Sequence, residues 1–130
     1  YGDNEFFIKS IKQRDEKSIR IFIADERYDP NYKDSVSNNS LLLWSLMFDN
    51  YALAKELMDK GADLKVQESD TGRTPLHFIV KAEKLDLAMV AIKKGADINK
   101  KDKSNMSSLE LSRELKNKKI YNYLNRSFKE

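Results

Sequence analysis

Apolar residues recur along this chain at spacings of three and four positions, the pattern of helices that bury one face. The segment 74–98 shows it clearly, with one apolar cluster at Leu76, Ile79 and Val80 and another at Leu85, Ala88, Met89 and Ile92. Two short antiparallel helices followed by a loop are therefore predicted. Thr74 and Pro75 suit the first helix as N-cap and first-turn proline, and Gly95 suits the end of the second.

The same pattern occurs 34 positions earlier, where Gly61-Ala62-Asp63-Leu64 corresponds to Gly95-Ala96-Asp97-Ile98. An ungapped alignment pairs apolar residues throughout: Leu42 with Leu76, Trp44 with Phe78, Leu46 with Val80, Leu53 with Leu87, Ala54 with Ala88 and Met58 with Ile92. A fixed period in the thirties indicates stacked repeats. A third copy starts at Ser107, and a weaker copy precedes the first, with apolar stripes at Phe6, Ile8, Ile11, Ile19, Phe22 and Ile23.

Composition narrows the class of protein. The 130 residues are 40% apolar and 35% charged, with 4 Gly, 2 Pro and no Cys. The lack of Cys excludes disulfides and thiolate metal sites, and no apolar run approaches the roughly 20 residues of a membrane-spanning helix. We therefore expect a soluble protein. Because the sequence begins at Tyr1 rather than Met, we leave open whether it is cytoplasmic or exported after removal of a signal peptide.

These motifs resemble the ankyrin-repeat family. The best unit reads Asp70-Thr71-Gly72-Arg73-Thr74-Pro75-Leu76-His77 and closes with Gly95-Ala96-Asp97-Ile98-Asn99, so both of its ends match the family pattern. The resemblance implies an all-α solenoid of stacked helix-turn-helix units joined by hairpin-like loops. We predict one ankyrin-repeat domain over 1–130, with a degenerate N-terminal cap unit at 4–35, repeats at 36–68 and 69–101, and a C-terminal cap unit at 102–130.

Four residues depart from the glycines of the family pattern. Asn38 and Asn105 stand at the loop glycine, and Asp49 and Glu83 stand at the glycine between the two helices. Asn and Asp adopt left-handed backbone geometry more readily than other residues with a side chain. We therefore expect the turns to survive, at a higher cost for Glu83.

The resemblance implies a non-enzymatic protein–protein interaction module. His77, the only histidine, would hydrogen-bond the backbone and tie neighbouring loops together rather than catalyse. The sequence contains no nucleophile elbow and no glycine-rich phosphate loop. We expect no catalytic residue, no cofactor and no metal site, and we assign Asp63 and Asp97 to capping of loop N–H groups.

Within the family, partners commonly contact the loop tips and the concave face of the first helices. Met47 and Phe48 align with Lys81 and Ala82 at the end of the first helix, where the repeat core does not explain large apolar side chains. Such a patch suggests a partner site, and the alternative is packing beneath the preceding cap unit. The predicted partner-binding residues are Met47, Phe48, Val36, Asn39, Thr71, Arg73, Lys81, Lys103 and Met106.

Two other functions stay open, and the first of them follows from charge. Residues 93–130 carry 11 Lys or Arg against 5 Asp or Glu, and Lys100, Lys101 and Lys103 could contact phosphates of nucleic acid or another anionic surface. A regulatory or inhibitory subunit of an enzyme or toxin is the second alternative. We favour a monomer that binds a partner protein of unknown identity, and we do not expect nucleic acid to be that partner.

Overall fold

The computed structural model describes the backbone of residues 3–25 and 28–129 and the side chains of residues 5–25 and 28–127, so Tyr1 lies outside the described residues. Within these residues the chain is all-α, as predicted, and one isolated bridge pairs Lys33 with Ser40. The helices are α1 (Asp3–Lys12), α2 (Glu16–Ala24), α3 (Leu41–Met47), α4 (Tyr51–Asp59), α5 (Pro75–Lys81), α6 (Leu85–Lys93), α7 (Ser108–Glu114) and α8 (Lys118–Lys129).

The helices group into two compact units, Tyr1–Ala62 (unit 1) and Asp63–Glu130 (unit 2). In unit 1, α1 contacts α2 and α3, and α3 contacts α4; in unit 2, α5 contacts α6 and α7, and α8 contacts α6 and α7. The largest fully buried side chains are Phe7, Ile11, Ile19, Leu41, Leu42, Leu43, Leu53, Leu57 and Met58 in unit 1, and Leu76, Ile79 and Ile120 in unit 2. The organisation as one four-repeat domain stays a prediction.

The helices begin and end where the local chemistry requires it. Thr74 caps α5, since its hydroxyl oxygen accepts a hydrogen bond from the His77 N–H, and Pro75 occupies the first helical position. Gly61 and Gly95 follow α4 and α6 with φ angles of 93° and 99°, in the left-handed region that a side chain disfavours. These caps confirm the predicted ends of the helices.

The turn between the two helices of each pair contains one residue in the left-handed region. Arg14, Asp49, Glu83 and Lys116 have φ angles of 56°, 60°, 59° and 58°. Asp49 and Glu83 therefore hold the geometry expected of them. The intervals between these four residues shorten along the chain from 35 to 34 to 33 positions.

Candidate functional site

Three acidic residues stand at the base of the loops that precede α3, α5 and α7, at an interval of 34 positions: Asp34, Glu68 and Asp102. Each loop is closed by a backbone N–H that donates to the carbonyl oxygen of its acidic residue: Asn38 to Asp34 (2.7 Å), Gly72 to Glu68 (2.8 Å) and Asn105 to Asp102 (3.0 Å). Asn38, Gly72 and Asn105 have φ angles of 62°, 71° and 64°, which confirms the predicted left-handed turns.

The acidic side chains also bind the loop backbone. The Glu68 carboxylate accepts from the N–H of Asp70 (2.9 Å) and from the N–H and hydroxyl of Thr71 (2.8 and 2.6 Å). Asp102 Oδ1 accepts from the N–H groups of Ser104 (2.9 Å) and Met106 (3.1 Å). Because these carboxylates satisfy several donors at once, the loop backbone is held in one geometry.

Asp34 performs the same task in unit 1. Its carboxylate accepts from the Val36 N–H at 2.9 Å and from the Ser37 hydroxyl at 2.8 Å. The first of these bonds contributes most to lowering the pKa of Asp34 below its ordinary value. The residue is 7% exposed. The sequence analysis missed this role, although an acid repeated every 34 positions was a visible signal.

In unit 2 two consecutive loops are bonded to each other. The Lys103 N–H donates to the Thr71 carbonyl (2.9 Å), and the Lys103 ammonium donates to the Ser69 carbonyl (2.6 Å). His77 is fully buried; its Nδ1 accepts from the Thr74 N–H (3.1 Å) and its Nε2 lies 2.8 Å from the Met106 carbonyl oxygen. The loop-tying role implied for His77 is thus confirmed.

The predicted loop-tip residues differ in exposure. Val36 is 93% exposed, whereas Asn39 is only 4% exposed. The prediction that Asn39 lies at a loop tip is wrong, because the loop has already turned back there: the Asn39 carbonyl accepts from the Asp34 N–H at 2.8 Å, and the next residue, Ser40, is the N-cap of α3. Its buried side chain is not available to a partner.

The remaining predicted residues lie in unit 2. Thr71, Lys81 and Lys103 are exposed, and Met106 is half-buried. Arg73 is half-buried too, with its Nε 3.8 Å from Asp102 Oδ2. Asp63 and Asp97 cap loop N–H groups as predicted, accepting from Lys65 (2.9 Å) and Asn99 (2.8 Å).

Met47 and Phe48, at the end of α3, are half-buried. The Phe48 ring tilts against the Trp44 ring, with 5.9 Å between their centroids. Trp44 is itself half-buried, and the Lys12 ammonium of α1 lies 4.2 Å from its centroid. We call Trp44, Met47 and Phe48 the α3 patch. It is neither fully exposed nor part of the core, so its role as a partner site stays a prediction.

A groove adjoins the α3 patch within unit 1. Its volume is about 490 Å³, and it lies between α1, α3 and the loop at 34–37. Its lining includes Lys9, Lys12, Val36, Ser37 and Trp44. We call it the α1–α3 groove. The sequence analysis missed it, because α1 belongs to the most eroded copy and the two walls are about thirty positions apart.

Two lysines of the basic C-terminal third have partners in unit 2. The Lys101 ammonium lies 3.7 Å from a Glu110 carboxylate oxygen, and that of Lys103 is bound to the Ser69 carbonyl. Arg113 lies over the Tyr121 ring, 5.5 Å from its centroid. None of the helices in the described chain is long and apolar enough to cross a membrane. Residues 3–25 and 28–129 contain no group of three or more metal-ligating side chains.

The sequence profile described as ankyrin repeats, in three copies, matches residues 7–126. Human inversin is 42% identical over 64 residues, which are 49% of this chain and 6% of that protein. Human 2-5A-dependent ribonuclease is 32% identical over 63 residues, 48% of this chain and 8% of that protein. Mouse ankyrin repeat and SOCS box protein 6 is 31% identical over 86 residues, 66% of this chain and 20% of that protein. The chain therefore spans a small part of each relative.

Proposed function

The chain belongs to the ankyrin-repeat family, whose repeats are generally protein–protein interaction modules, and from this premise we propose that it binds a partner protein and catalyses no reaction of its own. The partner contacts the α3 patch and Val36 in unit 1. In unit 2 it contacts the loop tips and the end of α5: Thr71, Arg73, Lys81, Lys103 and Met106.

The observation that carries this proposal is the anchoring of the loops by acidic side chains. Glu68 and Asp34 are 6% and 7% exposed, and their carboxylates hold N–H groups of the loop above them. A loop that is ordered before binding loses less conformational entropy when it meets a partner. Val36, Thr71 and Lys103 are thereby presented from backbones of fixed geometry.

The α3 patch supplies the apolar part of the surface. Met and aromatic side chains are enriched at the centres of protein interfaces, where a few residues contribute most of the affinity. The corresponding helix of unit 2, α5, ends in Lys81 and Ala82 instead. The repeat fold therefore does not demand Met47 and Phe48, which favours a role in recognition.

The test uses the residues that the chain itself places at these positions. A library of displayed protein fragments is selected on the immobilised chain, and binders are measured against the double variant Met47→Lys, Phe48→Ala. Since Lys81 and Ala82 occupy the same positions of α5, we expect the variant to fold and to lose at least about tenfold in affinity. The control is Leu115→Ala, a 39% exposed apolar residue at the corresponding position after α7.

Three outcomes, from this selection and from direct binding assays, separate the alternatives. Full affinity of every binder for the double variant, with the variant folded by circular dichroism and urea unfolding, contradicts the assignment of the α3 patch. Binding to nucleic acid that salt weakens, and that neutralising Lys100, Lys101 and Lys103 abolishes, would favour the anionic-surface function. Capture of one enzyme in stoichiometric amount with loss of its activity would favour a regulatory or inhibitory subunit.

A further inference from the structure

The α1–α3 groove has the dimensions of a recognition site. Its volume of about 490 Å³ falls within the range of about 300–1,000 Å³ that ligand-binding clefts occupy. Its apolar lining residues are Ile8, Val36 and Trp44. Val36, which also lines it, is 93% exposed and therefore accessible to another molecule.

The two carboxylates of this groove already have donors within unit 1. One oxygen of Glu5 accepts from the Tyr32 hydroxyl and from the N–H and hydroxyl of Ser35. Asp34 is 7% exposed and bound to its own loop. Both carboxylates are thus already engaged within unit 1, Glu5 through one of its two oxygens.

The two ammonium groups of the groove are in a different situation. Lys9 and Lys12 lie one turn apart on α1, and both are exposed. Lys12 rests on the Trp44 ring, a contact that orders the side chain, and its charge also helps to lower the pKa of Asp34. Among the described residues Lys9 has no carboxylate partner. The charge still open to a ligand in this groove is positive.

The indole nitrogen of Trp44 is a further group without a partner. Its Nε1 is buried and has no hydrogen-bond partner among the described residues. A buried donor in that state is destabilising.

We propose that the α1–α3 groove binds an extended acidic segment of the partner protein, in which a Glu or Asp adjoins a large apolar side chain. The carboxylate meets Lys9 and Lys12, and the apolar side chain lies against Val36 and the Trp44 ring. This inference rests on the proposed function and gives its partner a chemistry. The groove continues into the α3 patch through the Trp44–Phe48 contact, so one segment can contact both.

The experiment uses a random library of 12-residue displayed peptides, selected on the whole chain. Trp44 is the only tryptophan, so the ¹⁵N-labelled protein gives a single indole N–H signal that reports on the groove. We expect selected peptides to pair an acidic with a large apolar residue and to shift that signal. Replacing the peptide's acidic residue by its amide should weaken binding about tenfold, as expected for loss of a hydrogen bond to a charged group.

The protein variants isolate the lysines. Lys9→Met and Lys12→Met keep the length of the side chain and its apolar contact while removing the charge, and together they should weaken binding about tenfold or more. Lys17→Met, at an exposed lysine of α2, is the matched control and should leave the affinity unchanged.

The outcomes separate this inference from the proposed function. Selected peptides that are neutral or basic, that leave the indole signal unmoved, or that bind Lys9→Met, Lys12→Met at full affinity overturn the acidic segment. If such peptides still lose affinity for the double variant Met47→Lys, Phe48→Ala, the proposed partner binding stands, and the bound segment of the partner has another chemistry. A library from which no peptide is enriched counts against the groove as a peptide site, whereas protein fragments that bind the α3 patch would leave the proposed function intact.

Discussion

The Nε2 atom of His77 lies 2.8 Å from the carbonyl oxygen of Met106, which joins the first turn of α5 to the loop before α7 across 29 positions of sequence. A carbonyl can only accept, so Nε2 carries the proton, and Nδ1 is left to accept from the Thr74 N–H. The ring is thus held neutral, with each nitrogen engaged. A second proton on Nδ1 would break the bond to Thr74.

This arrangement predicts that mild acid destabilises the protein through His77. Burial lowers the folded-state pKa of His77 below its ordinary value of about 6.5. The unfolded chain therefore binds a proton that the folded chain does not bind. The contribution of His77 to the free energy of unfolding is fully present above about pH 6.5 and is lost as the pH drops through the folded-state pKa. Urea midpoints measured from neutral to mildly acidic pH should show this slope in the wild type and lack it in His77→Gln. Parallel slopes in both proteins would contradict the prediction.

Any side chain at Gly72 should lower the free energy of unfolding, even that of a residue that readily adopts its φ angle. A Cβ there would lie 2.9 Å from Lys103 Cγ and 3.0 Å from the Lys103 backbone nitrogen, which is fixed by its bond to Thr71. We expect Gly72→Asn to lower the free energy of unfolding by about 1–3 kcal/mol through this crowding. Asn adopts the same left-handed geometry at Asn105, so backbone strain is not the cause.

The control for this prediction is Gly61→Asn. A Cβ at Gly61 would meet no atom within 4 Å, although its φ of 93° is also left-handed. Any cost there is conformational only, and it should be the smaller of the two. Equal losses of unfolding free energy at both positions would show that the approach of Lys103 is unimportant.

Glu68→Gln should loosen the loop above it without unfolding unit 2. The amide keeps one acceptor but replaces the other by a donor, which then faces the N–H of either Asp70 or Thr71. Hydrogen exchange at these two amides should accelerate by at least about tenfold, the equivalent of one lost bond to a charged group. Asp70→Asn, at an exposed acidic residue of the same loop, should leave the exchange of Thr71 unchanged.

Tyr32 should lose its proton at a higher pH than an ordinary tyrosine, because its hydroxyl is hydrogen-bonded to Glu5. The bond from the Tyr32 hydroxyl to Glu5 raises the pKa of Tyr32 to about 12 and lowers that of Glu5 below its ordinary range. Stability from this pair is therefore present between the two unfolded-state values of about 4.3 and 10, and it is lost below and above them. A pH titration followed by tyrosinate absorbance should show one more tyrosine with an ordinary pKa in Glu5→Gln than in the wild type. No change between the two curves would exclude the bond.

Much of the architecture was predictable because it follows from short-range chemistry. The apolar spacing, the cap at Thr74 and the glycines after α4 and α6 each act within a few residues, and the period of 34 repeats them. The left-handed Asn38 and Asn105 were predicted for the same reason, since the fitness of a residue for a turn depends on its own side chain. The role of His77 needed more, because it came from the family resemblance and not from spacing.

The surface was decided by contacts that the sequence does not reveal. Asn39 is one residue from an N-cap, yet its burial depends on the whole loop folding back over Asp34. The half-buried Phe48 lies against the ring of Trp44, and that ring lies beneath Lys12, a residue on a different helix. The sequence by itself determined the repeats, their helices and their turns, because those interactions are local. Only the tertiary structure decided which side chains face solvent and which residues line one groove, because those contacts join residues far apart in the chain.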